Sequence, residues 1–487
     1  MGSMTPFRRG TRGSAVVAAG HGSSVPSAPG VQDLARFGSD EPIDLPESNF
    51  PVPATLVRYT ADMVVPCDGT GMVLAPGVLE VEGGRVVHVG RGPTGRPATE
   101  VRLDGVVLPG LVNVHAHTPM SLFRGSGEGL PLDRWLTEVL WPREAKLTSE
   151  DVYWGMVLGA AESLRFGVTT SCEMYFEEDA IADAVLATGG RAVVTPAILQ
   201  FPDGEGGPSW AGRLEEVAEF HRRRNGDGGR IEVGFGPHAP YSVPPEVLTV
   251  IAALASDLGA LVHLHAAETE AEVEQFVATH GRRVVHALAD VGLLEGRLLA
   301  AHGVWLDDEE ISLLAEAGAA VAHCPQSNAK LASGIAPLAG MLTAGVRVGL
   351  GTDGPASNND LDLWKEMRLA ASLARLRERD AGAVSAVAAL DLATRAAGHA
   401  LGRPELGSLY DGAAADFVLV DLDDPVFSPM SDPSDVVGHL VWSVQSRLVT
   451  DVWVGGRKVV AAGRCLTVDT DEARYEVGRR AARLAAD

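Results

Sequence analysis

Residues Gly110–Gly125 read GLVNVHAHTPMSLFRG. A short apolar run ends in two histidines spaced two apart, His115 and His117, followed by Thr118-Pro119. On an extended strand, positions i and i+2 project to the same face, so both imidazoles can reach one point. Taken alone, the pair reads equally well as two polar side chains on a turn. What decides the fold is whether other apolar runs end in the same way.

They do. GVTTSCEMYF (167–176), RAVVTPAIL (191–199), IEVGFGPHAP (231–240), LVHLHAAET (261–269), LLAAHGV (298–304), GAAVAHCP (318–325) and VRVGLGTDG (346–354) read as short strands. Longer helical stretches such as PPEVLTVIAALASDLG (244–259) separate them. Alternating β and α segments favour an α/β barrel or a wound parallel sheet. In nearly every run a His, Glu or Asp stands at the C-terminal end, where a (β/α)8 barrel gathers its active site from many strands at once. A doubly wound sheet would place a Gly-rich phosphate loop after its first strand, and neither GxGxxG nor a P-loop is present there.

The flanks have a different rhythm. VLEVEGGRVVHVG (78–90) is two alternating runs joined by Gly83-Gly84, a hairpin signal, and DVWVGGRKVVAAG (451–463) repeats the design around Gly455-Gly456. With ADFVLVDLD (415–423), these predict a small composite β-sandwich domain built from both chain ends. The expected organisation therefore begins with a disordered Gly/Ser/Pro-rich leader (1–49) and the N-terminal portion of the β-domain (50–107). A metal-dependent (β/α)8 TIM-like barrel (108–403), the C-terminal portion of the β-domain (404–466) and a C-terminal helix (467–487) follow.

The 487 residues are 46% hydrophobic and 21% charged, with a net charge of −24. Such an acidic chain argues against nucleic acid and anionic membranes as partners. No apolar run reaches the length of a membrane helix. Cys67, Cys172, Cys324 and Cys465 form no CxxC pair, which suits reduced thiols and a cytoplasmic location.

His265 in LVHLHAAET, His302 in LLAAHGV and Asp353 in VRVGLGTDG join His115 and His117 at strand ends. Imidazoles and a carboxylate are N/O ligands suited to one divalent ion, Zn2+ ahead of Fe2+. No PCxxC occurs, so a His/Cys/Cys zinc site is absent.

HAHTPMSLFRG, GFGPHAPYSV, HLHAAET, HCPQSNAKLASGIAPL and GLGTDGPASNNDLDLWKEMRLA together resemble the amidohydrolase superfamily. More narrowly, they resemble its deaminases of S-adenosylhomocysteine and 5'-methylthioadenosine. The resemblance runs from about Val52 to about Leu466. It implies His115, His117, His265 and Asp353 as metal ligands and Glu268, His302 and Asp353 as catalytic groups. In that scheme the ion readies a water, Asp353 takes its proton, His302 orients it and Glu268 moves protons to the substrate. Several superfamily members hold two metals bridged by a lysine near the fourth strand. Here the lysines are Lys146, Lys330, Lys365 and Lys458, none in RAVVTPAIL, so one metal is expected.

For the substrate, the resemblance implies His238 on the purine and Arg213 on an amino-acid carboxylate. Trp135 is a candidate apolar wall and Glu144 a candidate partner of the ribose hydroxyls. Each has an ordinary structural alternative: strand-end packing for His238, core for Trp135, and surface charge for Glu144 and Arg213. Where the family has a second arginine, this chain has Pro196. That weakens S-adenosylhomocysteine relative to other 5'-substituted adenosines. The expected function is hydrolytic deamination of such a nucleoside by a homo-oligomer. A deaminase or hydrolase of guanine, cytosine, a pterin or a triazine, and a non-catalytic binding relative, are the alternatives.

Overall fold

The computed structural model describes residues 55–199 and 209–486. The expected leader lies outside them, as does most of the loop that follows Leu199.

Eight parallel strands form the barrel: β5 (Leu111–Ala116), β6 (Val168–Glu173), β7 (Arg191–Val194), β9 (Ile231–Val233), β11 (Leu261–Ala266), β12 (Arg297–His302), β13 (Ala320–His323) and β14 (Arg347–Leu350). The short strands β8 (Ala197–Ile198) and β10 (Gly236–Pro237) prolong β7 and β9. Two seams complete the ring. One joins Phe235 to Val262, and the other joins Ala116 to Asp353, where the Asp353 amide donates to the His115 carbonyl at 3.0 Å. Every residue of β5 and β11 is buried. This is why these strands read as nearly unbroken apolar runs: one face meets the barrel interior and the other meets helices.

The surrounding helices include α1 (Ser149–Arg165), α2 (Glu178–Thr188), α3 (Trp210–Arg224), α4 (Pro245–Leu258), α5 (Glu270–His280), α6 (Asp308–Ala317), α7 (Leu338–Ala344) and α8 (Leu363–Glu378). Capping boxes start three of them: Thr148 with Asp151, Thr269 with Glu272, and Asp307 with Glu310. Each box satisfies amide donors that the first helical turn leaves without partners. A last helix, α9 (Thr470–Ala485), packs on α1 through Arg480, which is buried against Asp151 and Glu150. Among the described residues no helix is long and apolar enough to cross a membrane.

The β-domain takes β1 (Val57–Val64), β2 (Gly77–Glu82), β3 (Arg85–Gly90) and β4 (Thr99–Pro109) from before the barrel. From after it come β15 (Phe417–Val420), β16 (Val449–Val454), β17 (Arg457–Ala461) and β18 (Arg464–Cys465). The expected sandwich is, in hydrogen-bonding terms, one continuous sheet ordered β18-β17-β16-β15-β4-β1-β2-β3. The physical reason is β4, which is eleven residues long and pairs on both edges, parallel to β1 and antiparallel to β15. The two chain ends thereby share one sheet. Tyr59, Phe417 and Trp453 fill its apolar face, with the last two rings stacked at 4.5 Å.

Candidate metal centre and active site

The residues singled out at the strand ends converge. Ligand atoms of His115, His117 and His265 lie within 4.8 Å of one another, as do those of His115, His302 and Asp353. The His117 and His265 Nε2 atoms face each other at 3.2 Å. Asp353 Oδ1 lies 3.4 Å from His115 Nε2 and 3.2 Å from His117 Nε2. All are buried.

The ring orientations suit metal ligation. His117 Nδ1 is 2.5 Å from the Met174 carbonyl, and His265 Nδ1 is 2.7 Å from the His238 carbonyl. A carbonyl accepts only, so each Nδ1 carries the proton and each Nε2 lone pair faces the centre. His115 Nε2 is buried with no hydrogen-bond partner of its own. An orphaned lone pair among two imidazoles and a carboxylate fits a divalent cation, which would supply the missing interaction.

The electrostatics agree. Burial drives the His115 imidazole down to about 3, and burial also holds His265 well below its ordinary value. Neutral rings are the ligating form. Burial works against the Asp353 carboxylate, yet the facing His115 and His117 hold its carboxyl well below the usual range. His117 is shifted the other way, upward, because the facing Asp353 outweighs its burial.

Backbone geometry aims two of these groups. His302 and Asp353 adopt left-handed φ of 74° and 59°. That conformation is costly for a non-glycine residue and is retained where the surroundings over-determine it. Gly351 makes room behind the cluster: a Cβ there would stand 2.7 Å from the His115 Cβ. Asp353 Oδ2 accepts from Ser327 Oγ at 2.6 Å and from Ser357 Oγ at 2.7 Å. Asn328 fixes His302 through Oδ1, 2.9 Å from its Nδ1.

Glu268 stands across the cavity, its Oε2 3.7 Å from His302 Nε2. Its amide donates to Glu272 Oε2 at 2.9 Å, so the capping box of α5 also fixes Glu268. Burial first, and then the nearby Asp353 and Glu272 carboxylates, push the Glu268 carboxyl well above its ordinary range. A shift in that direction suits a general acid.

The cavity over this floor is lined by His117, His265, Glu268, His302 and Asp353, and by Trp135, Glu144 and His238. Glu144 accepts from the Tyr175 hydroxyl at 2.7 Å, and burial raises its carboxyl. His238 Nδ1 meets Ser242 Oγ at 3.0 Å. Trp135 is buried, with its indole N–H on the Ser126 carbonyl. Residues 132–144 contain a π-helical turn, Leu136–Leu140. At about 100° per residue, an unbroken α-helix would turn Trp141 away from Leu132. The π turn shifts the register, and both line the cavity.

Arg213 lies elsewhere. Its guanidinium grips both oxygens of Glu178 at 3.1 Å, reaches Glu216 and donates to the Ala197 carbonyl. It is not among the residues lining the cavity. This fork–fork pair engages donors that the resemblance would aim at a substrate carboxylate.

Sequence reading missed His263. Its Nε2 lies 2.7 Å from His115 Nδ1, and its Nδ1 meets Thr195 Oγ1 at 3.0 Å and Cys172 Sγ at 3.4 Å. The available signal was the i, i+2 relation of His263 to His265. Tyr175, Ser327 and Asn328 carried no such signal, because their roles depend on partners distant in sequence. The lysines are engaged outside the cluster: Lys146 at Ala486, Lys330 at Ala356, Lys365 at Asp360 and Lys458 at Asp451.

Comparison with known proteins bears on this geometry. Residues 106–459 match the model of the "Amidohydrolase family". A 5-methylthioadenosine/S-adenosylhomocysteine deaminase of Dictyoglomus thermophilum is 43% identical over 78% of this chain and 89% of its own. A 5'-deoxyadenosine deaminase of Methanopyrus kandleri is 40% identical over 75% of this chain and 84% of its own. Among solved structures, an adenosine deaminase of Xanthomonas campestris with bound zinc superposes with a TM-score of 0.83. It is 37% identical, and the match covers 88% of this chain and 98% of that one.

Proposed function

Because the chain belongs to the amidohydrolase family, we propose that it is a metal-dependent hydrolytic deaminase of 5'-substituted adenosines. Water adds at C6 of the purine, the C6–N bond breaks, and an inosine-type product and ammonia leave. One observation carries the reading. His115, His117, His265 and Asp353 converge at the floor of a cavity that also holds Glu268 and His302.

In this reading the ligands are His115, His117, His265 and Asp353 and the ion is a single zinc, a choice that the N/O donor set supports. When bound, the ion acts as a Lewis acid that makes a water acidic near neutral pH. Asp353 would accept the proton of the attacking water. His302, held by Asn328, orients the attack. Glu268 protonates a ring nitrogen and then delivers a proton to the departing amine. His238 hydrogen-bonds the purine, Trp135 walls it, and Glu144 accepts from the ribose hydroxyls.

The 5' substituent extends into a larger chamber of about 700 Å3 that shares Leu132, Leu136, Trp141 and Tyr241 with the inner cavity. Its described lining includes the exposed carboxylates Asp133 and Glu270, apolar Phe276 and Trp305, and no lysine or arginine. With Arg213 held by Glu178, this environment favours an uncharged substituent over one bearing a carboxylate.

Ammonia release from a panel tests this reading: adenosine, 5'-methylthioadenosine, 5'-deoxyadenosine, S-adenosylhomocysteine, guanine and cytosine. The neutral 5'-substituted adenosines are expected to have the highest kcat/KM. Release from guanine or cytosine alone would replace the adenosine reading with another heterocycle. No release from the zinc-loaded protein would end it.

A further inference from the structure

Tyr175 lines the inner cavity two residues beyond the end of β6. The chain is pinned on both sides there. The Met174 amide donates to the Ala116 carbonyl at 3.0 Å, the Met174 carbonyl meets His117 Nδ1, and the Tyr175 carbonyl accepts from the Ala197 amide at 2.8 Å. The ends of β5 and β8 therefore fix where the side chain starts. The ring is buried in the same apolar cluster as Leu140 and Phe123.

The hydroxyl makes one polar contact, donating to Glu144 Oε1 at 2.7 Å. Glu144 stands 31 positions earlier in the chain, in the short helix Trp141–Glu144. It is buried and lines the same cavity. Among the described residues, no lysine or arginine pairs with its carboxylate, and the Tyr175 hydroxyl is the donor it receives. The adjacent Arg143 turns to Ser126 instead, Nη1 to Oγ at 2.7 Å.

A buried carboxylate without a cation is costly unless hydrogen bonds favour its charged form. Burial accordingly raises the Glu144 carboxyl, and the Tyr175 hydroxyl is first among the influences that draw it back, ahead of His117. The same hydrogen bond sets the torsion of the carboxylate, because holding one oxygen places the other. A carboxylate has lone pairs for about four donors. Tyr175 uses one on Oε1, and among the described residues nothing donates to Oε2. Two vicinal hydroxyls, as on a ribose, supply paired donors to such a group.

We propose that Tyr175 is a positioning residue that aims Glu144 at the ribose hydroxyls, so that the Tyr175–Glu144 pair selects ribonucleosides over nucleosides lacking the diol. The proposal rests on the reading of the centre as a deaminase of adenosine-type nucleosides. Selection arises because a substrate without the hydroxyls leaves the Glu144 carboxylate desolvated and short of donors. Tyr175 acts through Glu144 and touches no reacting atom.

Steady-state kinetics of Y175F in the full-length, zinc-loaded protein, with adenosine and 2',3'-dideoxyadenosine in parallel, test the role. Phenylalanine keeps the buried ring and removes the hydroxyl alone. On adenosine, kcat/KM should fall roughly tenfold, carried by KM, with kcat within about twofold of wild type. On 2',3'-dideoxyadenosine, Y175F and wild type should agree within about twofold, since that substrate offers Glu144 no donor. In an E144A background, adding Y175F should cost adenosine nothing further, because the hydroxyl acts only through Glu144. Wild type alone should favour adenosine over the dideoxy compound by about tenfold or more. Equal losses on both substrates, a loss carried by kcat, additive losses with E144A, or a wild type indifferent to the diol would each overturn the proposal and leave the deaminase reading standing. Wild-type protein that releases no ammonia from adenosine would end both.

Discussion

His263 stands directly behind His115, Nε2 to Nδ1 at 2.7 Å, in a fully buried pair. Cys172 and Thr195 hold the far side of the His263 ring. This contact fixes which His115 nitrogen faces the metal centre, so His263 is a positioning residue. Replacing it with phenylalanine should leave the fold in place and lower zinc affinity about 10–100-fold. Competition with a chelator of known affinity measures this. Unchanged zinc affinity would remove the role.

His265 and Glu268 should separate metal from proton transfer. H265A is expected to lose most bound metal and activity together. E268Q should keep stoichiometric metal while kcat falls roughly 10^2–10^4-fold. Metal analysis beside steady-state kinetics distinguishes them, and metal loss in E268Q would contradict the division of roles.

Arg213 gives a test against the family expectation. Since its guanidinium is engaged by Glu178, R213M should leave the kcat/KM ratio of carboxylate-bearing to neutral 5'-substituted adenosines within about twofold. It should lower stability by roughly 1–3 kcal/mol, because Glu178 loses its partner. A selective loss of the carboxylate-bearing substrate would return Arg213 to the substrate.

Glu366 predicts a pH dependence of stability. It is fully buried and accepts from the Gln326 amide and Asn358 Nδ2, each oxygen holding one donor. Burial, the largest influence, raises its carboxyl well above the ordinary range despite these hydrogen bonds. The folded state thus keeps a proton that the unfolded chain releases near pH ~4.3. The group's contribution is whole below that pH and declines as pH rises toward the folded value, at about 1.4 kcal/mol per pH unit. Urea midpoints should fall more steeply with pH in wild type than in E366Q. Parallel curves would refute this.

The barrel, its strand ends and the cluster of His and Asp side chains they deliver were legible in the sequence because their signals are local. Two residues apart on a strand means one face. An apolar run ending in His or Asp means a polar group delivered to a barrel mouth. Both rules operate within a few residues, as in His115-Ala-His117, and need no knowledge of what lies opposite. The same local rule covered His263 and His265, but it could not say that His265 lines the cavity and His263 braces His115.

Tertiary structure alone decided the rest. Arg213 pairs with Glu178, 35 positions away. Glu144 meets Tyr175, and β4 joins strands from both chain ends in one sheet. A π turn brings Trp141 to the cavity. Each outcome depends on which surfaces pack together, and packing is settled by the whole folded chain. The sequence determined which chemical groups arrive at the centre, and the fold decided what each of them touches.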